Sequence, residues 1–182
     1  MIILASQSPR RKEILSSLFG DIHIKTNNHE ESFKSVRPSY AVQEIARKKV
    51  IGVGTSEDVV IGADTIVYFK GEFLGKPKSE NDAKRILRML SANTHYVYTG
   101  VAVKTQGKTI TFYDVSKVIF NDLTEEFIDE YVKSGSPMDK AGAYGIQDGG
   151  LVKRYEGSYT NILGLPAEKL KDCIGSLEVE EK

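Results

Sequence analysis

The apolar and polar positions near the start of the chain predict a strand, a turn and a helix. Residues 2–5 form a short continuous apolar run, which is typical of a buried strand. Ser8 can cap a helix that has Pro9 at its first position. The apolar face expected for this helix consists of Ile14, Leu15, Leu18 and Phe19. Residues 21–25 alternate with period two and predict a short strand, whereas residues 26–37 are polar without a period and predict a loop.

The next part of the chain predicts a helix, a strand and a hairpin. Apolar residues recur at helical spacing over residues 38–49. Residues 59–63 are continuously apolar, which predicts a strand covered on both faces. We expect Asp64 and Thr65 at or near the end of this strand, where a carboxylate would face the usual ligand crevice of an α/β sheet. A hairpin is predicted within residues 66–74.

The second half of the chain predicts further helices, a hairpin and a long irregular region. Ser79 and Thr124 are each in a position to cap a helix. The β-prone segments 96–104 and 108–120 predict two strands of a hairpin. Residues 136–165 contain too many glycines for a helix and are too broken for a plain strand, so a functional loop region is predicted there.

The end of the chain predicts one last helix. Residues 167–174 are expected to form this helix, and residues 175–182 a short charged tail that frays. No internal repeat or linker interrupts the pattern. We therefore expect a single domain over residues 1–174, with mixed α/β architecture.

Neutral charge and a single cysteine narrow the classes of function. The 182 residues contain 25 Lys+Arg and 25 Asp+Glu, so the formal net charge is zero. No basic excess therefore favours a nucleic acid or an anionic membrane as a partner. Cys173 cannot form an internal disulfide, and together with three histidines it does not suggest a structural zinc site. The apolar residues 1–5 are too few for a signal peptide or a spanning helix, so we expect a cytoplasmic enzyme or binding protein.

Two serines and two arginines lie between the predicted first strand and first helix. At a helix N-terminus, the backbone N–H groups and the helix dipole add to the donors of Ser6, Ser8, Arg10 and Arg11. Together these groups could cradle a phosphate. From this segment alone, a capped helix with two solvated arginines is the commoner arrangement, so other segments must decide.

Carboxylates and lysines elsewhere could complete a polyphosphate site. Asp64 could ligate a divalent cation or accept a proton from water, although a simple turn aspartate would look the same. Glu31 could share that cation, although adjacent loop glutamates are usually solvated. Lys49, Lys76 and Lys140 could neutralise phosphate charge. The segment around Lys76 is not a P-loop, because the glycine spacing is one residue short and a proline stands where a Ser or Thr should bind Mg²⁺.

Residues 139–147 combine the features of a nucleobase pocket. The segment places Asp139 and Lys140 near small residues that permit close backbone approach, and Gln147 supplies an amide that can interact with a base edge. Residues 157–161 add hydroxyls and an amide, but a structural loop rich in Tyr and Gly would have the same composition.

Several segments, taken together and in order, resemble the Maf family of nucleoside triphosphate pyrophosphatases. The resemblance covers about residues 2–172 and rests on LASQSPRR, GADTIV, GKP, LSANTHYVYTG, MDKAGAYGIQ and GSYTNILGLP. It implies an α/β fold of the inosine-triphosphate-pyrophosphatase type, with a mixed elongated sheet flanked by helices in two lobes, and the active site in the cleft. It also implies a homodimer and a divalent cation, Mg²⁺ or Mn²⁺. Arg10 is typical of the dTTP/UTP pyrophosphatase branch.

The resemblance also implies roles for individual residues. Asp64 would be the proton acceptor and would hold the metal together with Glu31. The base would be selected by Arg10, Thr65 and Gln147. The phosphate and metal site would be lined by Ser8, Arg11, Glu31, Lys49, Lys76 and Lys140. The reaction expected is hydrolysis between the α and β phosphates by a metal-activated water, giving the monophosphate and pyrophosphate.

Three positions depart from the family pattern, and one rival function stays open. Ala92 replaces a frequent glycine, Ser136 a frequent glutamate and Asp148 a frequent glycine. Asp148 lies beside Gln147, so it could shift the base preference. The rival function is a nucleotide-binding regulator of septum formation that does not hydrolyse its ligand. Such a regulator gains little from carboxylates at a water-activating position, whereas a hydrolase needs them.

Overall fold

The structure, a computed structural model, describes residues 1–179. Seven strands and six α-helices are present in these residues, with three short 3₁₀ turns between the fourth helix and the last strand. The strands are β1 (Ile2–Leu4), β2 (His23–Ile24), β3 (Val59–Phe69), β4 (Glu72–Leu74), β5 (Thr94–Thr105), β6 (Lys108–Phe120) and β7 (Val152–Glu156). The helices are α1 (Pro9–Phe19), α2 (Pro38–Val50), α3 (Glu80–Leu90), α4 (Glu125–Lys133), α5 (Tyr159–Leu163) and α6 (Ala167–Val179).

The strands form one mixed sheet in the order β2-β1-β3-β5-β6-β7, with β4 paired to β3. β1 is parallel to β2 and β3, whereas β4 is antiparallel to β3 and β7 is antiparallel to β6. The expected mixed α/β fold is thus confirmed. The predicted caps are confirmed as well, because Ser8, Ser79 and Thr124 each accept a hydrogen bond from the backbone N–H three residues later.

The chain divides into two compact units. The first unit contains Met1–Asp64, Thr99–Asp114 and the chain from Ser158 onward, and the second contains Thr65–Tyr98 and Val115–Gly157. β3, β5 and β6 each run from one unit into the other.

In the first unit, alternate residues of the strands enter two apolar clusters. Leu4, Ile61 and Val103 pack with residues of α1 and α6, whereas their neighbours in the strands pack with α2. The α2 cluster consists of Ile3, Ala5, Ala46, Val50, Val53, Val60 and Ala102. Gly100 lets α2 lie close to β5, because a Cβ at this position would overlap the carbonyl group of Val42.

In the second unit, α3 packs against α4, and three rings form a buried cluster. His95, Phe120 and Tyr144 have ring centroids 4.7–5.3 Å apart in edge-to-face arrangements. His95 Nε2 and the Tyr144 hydroxyl lie 2.7 Å apart and share a hydrogen bond. Burial lowers the pKa of His95 to about 3, so the imidazole is neutral at pH 7.

Three sequence predictions were wrong in detail. Asp64 and Thr65 lie in the middle of β3 and not at its end, because the strand changes partner there and continues. Residues 136–165 contain β7 and α5 as well as the 3₁₀ turns, because glycines fall between these elements. α6 continues five residues past the predicted helix end, through Gly175 to Val179. The rest of the predicted tail, 180–182, lies outside the described residues. Among residues 1–179, no helix is both long and apolar enough to cross a membrane.

Candidate functional site

The N-terminus of α1 holds the arginine pair in a defined arrangement. Ser8 caps the helix by accepting from the Arg11 backbone N–H at 3.4 Å. The Arg11 side chain donates from Nε to the carbonyl of Gly164 at 2.7 Å, and from Nη1 to the Ser6 hydroxyl at 3.2 Å. These two bonds fix the plane of the guanidinium. Arg11 is therefore a positioned cation at the positive end of the helix dipole, where an anion would be favoured.

The charge on Arg11 is only partly hydrated. Its pKa is lowered from the usual value mainly by burial, while the Asp64 carboxylate opposes that shift, Arg10 adds to it and Glu31 opposes it. Arginine stays protonated at neutral pH, so Arg11 keeps its positive charge despite the lowered pKa. A poorly hydrated guanidinium that lies near carboxylates and a second arginine is suited to bind a phosphate group, since it loses little hydration on binding.

Lys49, Asp64 and Glu31 form a cluster in the same unit. The Lys49 ammonium lies 3.0 Å from Asp64 Oδ1 and 3.2 Å from Glu31 Oε1, and it donates to the carbonyl of Ala63 at 3.1 Å. Lys49 and Asp64 are only 14% and 16% exposed, whereas Glu31 is 63% exposed. Lys49 on α2 and Asp64 on β3 are therefore held firmly. Glu31, in the loop, contacts Lys49 from the solvent side.

Backbone packing places Lys49 over β3. Gly62 lies under α2, and a Cβ at this position would meet the Ala46 carbonyl oxygen at 2.8 Å and Lys49 Cβ at 3.2 Å. The glycine thus permits the close approach that brings the lysine to Asp64. Asp64 lies in the stretch of β3 between the residues that pair with β1, which end at Ile61, and those that pair with β4, which begin at Val67.

The carboxylates of this cluster fit a divalent cation that the substrate would help to bind. Among the described residues, no group of three or more His, Cys, Asp or Glu side chains could hold a metal. Glu31 and Asp64 nevertheless surround a cation already, the Lys49 ammonium. Mg²⁺ is commonly held by one or two carboxylates with substrate phosphates and water, so two oxygen ligands are a suitable protein contribution.

In the second unit, Lys140 lies beside a series of short turns. These 3₁₀ turns span Ser136–Asp139, Ala141–Ala143 and Ile146–Asp148. The Lys140 ammonium donates to the Ser136 carbonyl at 2.6 Å and to Asp139 Oδ1 at 2.9 Å. Gly142 has a φ of +70° and its Cβ would lie 2.5 Å from Val67 Cγ2, so only glycine fits there.

The other predicted residues of the second unit lie on strands, turns and loops. Thr65 follows Asp64 in β3 and is half-buried, whereas Gln147 is exposed in the third turn. Lys76 is exposed and lines a hollow of about 200 Å³ together with Lys78, Asp82 and Arg85. Three cations and one carboxylate make this hollow favourable for an anion.

The structure brings most of the predicted residues into two groups. In the first unit, Ser8, Arg10, Arg11, Glu31, Lys49 and Asp64 are linked by hydrogen bonds or by charge. In the second unit, Lys140 and Gln147 both approach Gly145: Lys140 Cε and Gln147 Oε1 would each be 3.0 Å from a Cβ there.

Sequence reasoning missed the groups that hold these residues in place. The Gly164 carbonyl binds Arg11 from 153 positions away, and no sequence signal identifies a backbone acceptor. Tyr131 was not among the predicted site residues, yet its hydroxyl accepts from the Gly145 backbone N–H at 3.0 Å. No sequence signal identifies this contact, because Tyr131 and Gly145 lie 14 positions apart.

Comparison with known proteins gives a consistent result. The sequence pattern of the family described as "Maf-like protein" matches residues 1–177. A dTTP/UTP pyrophosphatase of Bacillus cereus (strain B4264) is 46% identical over 174 residues, which cover 93% of this chain and 91% of that protein. The protein of the same name from Bacillus cereus (strain ATCC 10987 / NRS 248) is 45% identical over 174 residues and is covered to 86% of its length.

A solved structure shares the fold at low sequence identity. The Staphylococcus aureus Ham1 protein superimposes with a TM-score of 0.55 at 14% identity, over 100% of this chain and 99% of that one. At this identity the likeness concerns the fold alone.

Proposed function

Because the chain belongs to the Maf family, we propose that it hydrolyses the nucleoside triphosphates dTTP and UTP to the monophosphate and pyrophosphate. One observation carries the proposal: Asp64, Lys49 and Glu31 meet in the unit that also positions Arg11 at the N-terminus of α1. This arrangement pairs carboxylates for water activation with donors for phosphate. The substrate is supported by the relatives, which are named dTTP/UTP pyrophosphatase.

Asp64 is the proposed proton acceptor. The Lys49 ammonium donates both to its carboxylate and to the neighbouring Ala63 carbonyl, so its orientation is fixed before substrate binds. A carboxylate is by itself a weak base toward water at neutral pH. A divalent cation, Mg²⁺ or Mn²⁺, held by Glu31 and Asp64 would supply the missing activation by lowering the pKa of water and neutralising phosphate charge.

Arg11 and Ser8 are proposed to bind the phosphates. The guanidinium is oriented by Gly164 and Ser6, and the N-terminal N–H groups of α1 lie beside it. Positive charge that is fixed in advance stabilises negative charge on a departing pyrophosphate. The family resemblance supports two further assignments. Lys76 and Lys140 are proposed as phosphate ligands, and Arg10, Thr65 and Gln147 as base-selecting residues.

The alternative function is a nucleotide-binding regulator without turnover. It would use Arg11 and the helix N-terminus equally well, but it has no need for a lysine-supported aspartate beside a second carboxylate. The paired carboxylates therefore favour the hydrolase.

A product-resolved assay tests the proposal. The chain is incubated with dTTP, UTP, CTP, GTP and ATP in the presence of Mg²⁺ or Mn²⁺, and pyrophosphate is separated from orthophosphate. We expect pyrophosphate from dTTP and UTP, lost in Asp64→Asn and kept in Asp21→Asn, the same change at an exposed position of the first unit. Orthophosphate release would contradict the assigned bond, and nucleotide binding without turnover would favour the regulator.

The state of the protein in the cell is a separate proposal. The resemblance supports a homodimer, which sedimentation equilibrium would test.

Zero net charge argues against nucleic acid and anionic membranes as partners, and the lone Cys173 is compatible with a reducing cytoplasm.

A further inference from the structure

A single carboxylate oxygen ties the Gln147 turn to two other parts of the second unit. Asp148 directly follows Gln147 and ends the third 3₁₀ turn. Its Oδ2 accepts from the Tyr131 hydroxyl at 2.6 Å and from the Ser136 hydroxyl, also at 2.6 Å. Tyr131 lies on α4, and Ser136 begins the first 3₁₀ turn. Charge-assisted hydrogen bonds of this length are among the stronger ones in proteins.

The carboxylate also fixes the direction of both hydroxyl groups. A hydroxyl has one proton, and here each gives that proton to Asp148. The lone pairs of the Tyr131 oxygen then receive the Gly145 backbone N–H at 3.0 Å, and those of the Ser136 oxygen receive the Lys140 ammonium at 3.2 Å. Burial and the neighbouring carboxylate raise the pKa of Tyr131, so the phenol stays a donor.

Three side chains converge at Gly145. Lys140 Cε, Gln147 Oε1 and Asp148 Oδ2 would each lie 3.0 Å from a Cβ at this glycine. No two of these atoms can therefore be more than twice that distance apart. The groups proposed to contact phosphate and base thus lie around the same carboxylate.

We infer that Asp148 is a positioning residue for substrate recognition, which orients the Gln147 turn through Tyr131 and Gly145 and the Lys140 ammonium through Ser136. The inference rests on the proposed function, in which Gln147 interacts with the base and Lys140 with phosphate. Asp148 acts through these residues and not on the reacting atoms.

Orientation matters for Gln147 because its amide carries both a donor and an acceptor. Uracil and thymine present an acceptor at position 4, whereas cytosine presents a donor there. An amide held in one orientation distinguishes the two kinds of pyrimidine, and an amide free to rotate accepts both. Loss of the Asp148 contacts should therefore relax the choice of base.

The test is a comparison of UTP with CTP by steady-state kinetics. Asp148→Asn and Tyr131→Phe should each lower the ratio of kcat/KM for UTP over CTP by about three- to tenfold, the size of one ordinary hydrogen bond. kcat for UTP should change by less than about twofold, since the reacting groups are untouched. Ser136→Ala should instead raise KM for both nucleotides, and Ser136→Thr, which keeps the hydroxyl, should restore it.

Asp139→Asn is the matched control. It removes a carboxylate 2.9 Å from the same Lys140 ammonium but leaves the contacts of Asp148 intact, so KM should rise alike for UTP and CTP with no change in their ratio. An unchanged ratio in Asp148→Asn and Tyr131→Phe would overturn the inference, as would an equal fall in kcat for both nucleotides. Failure of the unaltered protein to release pyrophosphate would overturn the proposed function itself.

Discussion

The two compact units hold their candidate functional residues in different ways. In the first unit, Lys49 and Asp64 lie on α2 and β3, and close backbone packing at Gly62 and Gly100 sets the helix against the sheet. In the second unit, Gln147 lies on a short 3₁₀ turn and Lys140 lies between two such turns, and side-chain hydrogen bonds hold this segment in place, with Asp148 as the principal acceptor.

This difference suggests a division of labour. A proton acceptor must be placed to within a fraction of an ångström, and long strands and helices provide that precision. Residues that recognise a substrate can be adjusted by changing one side chain, and irregular segments permit such changes without disturbing a ladder. Ser136 and Asp148, two of the positions expected to depart from the family pattern, lie in the irregular segment and are hydrogen-bonded to each other.

The largest expected effect is on turnover in the first unit. Asp64→Asn keeps the shape of the side chain but removes its charge, so kcat should fall by about 10² or more. Pyrophosphate release under saturating UTP measures the loss, and circular dichroism checks the fold. Turnover at the original rate in a folded variant would remove the chemical role from this unit.

The second effect concerns the packing that sets α2. Gly100→Ala would force the helix away from β5, and we expect a loss of about 1–3 kcal/mol in the free energy of unfolding. Urea titration measures it. Gly175→Ala, in α6 with open space around the Cβ position, should stabilise the protein slightly. Equal stability of the two variants would contradict the close approach.

The third effect uses pH to probe the second unit. His95 takes up a proton near pH 6.5 in the unfolded chain but only near pH 3 in the folded protein. The unfolded state therefore binds more protons between these values, and stability falls as pH drops through the window, by up to about 1.4 kcal/mol per pH unit. Urea titrations of His95→Asn should show a shallower slope there.

A second histidine serves as control for that prediction. His29 is exposed, so His29→Asn should leave the slope between pH 3 and 6.5 nearly unchanged. If both variants changed the slope by the same amount, the buried position of His95 would have no special part in the acid sensitivity.

The smallest effect is the loss of a single hydrogen bond. Tyr144→Phe removes the hydroxyl that lies 2.7 Å from His95 Nε2, and we expect a cost of about 1 kcal/mol in stability at pH 7. Tyr96→Phe, at an exposed position of the same unit, is the comparison and should cost little. A cost-free Tyr144→Phe would mean that ring packing alone holds the cluster.

Periodicity and capping chemistry predicted most of the elements in the first half of the chain. α1 and α2 begin at the predicted prolines. A proline favours the first position of a helix through its own backbone geometry, which is a local effect and can be predicted from sequence. The glycine-rich stretch was less predictable. β7 forms there because β6 offers an edge with which it can pair, and that pairing is a long-range contact.

The sequence by itself determined which chemical groups this protein has and the local structure around many of them: the Ser8 cap with its arginines, the aspartate after an apolar run, and the small residues before Gln147. Local rules suffice there because caps and periodicity involve residues within one or two turns. Only the tertiary structure decided the contacts between distant segments. Lys49 meets Asp64, Arg11 binds the Gly164 carbonyl, and Asp148 receives two hydroxyls because packing of the whole chain brings these groups together.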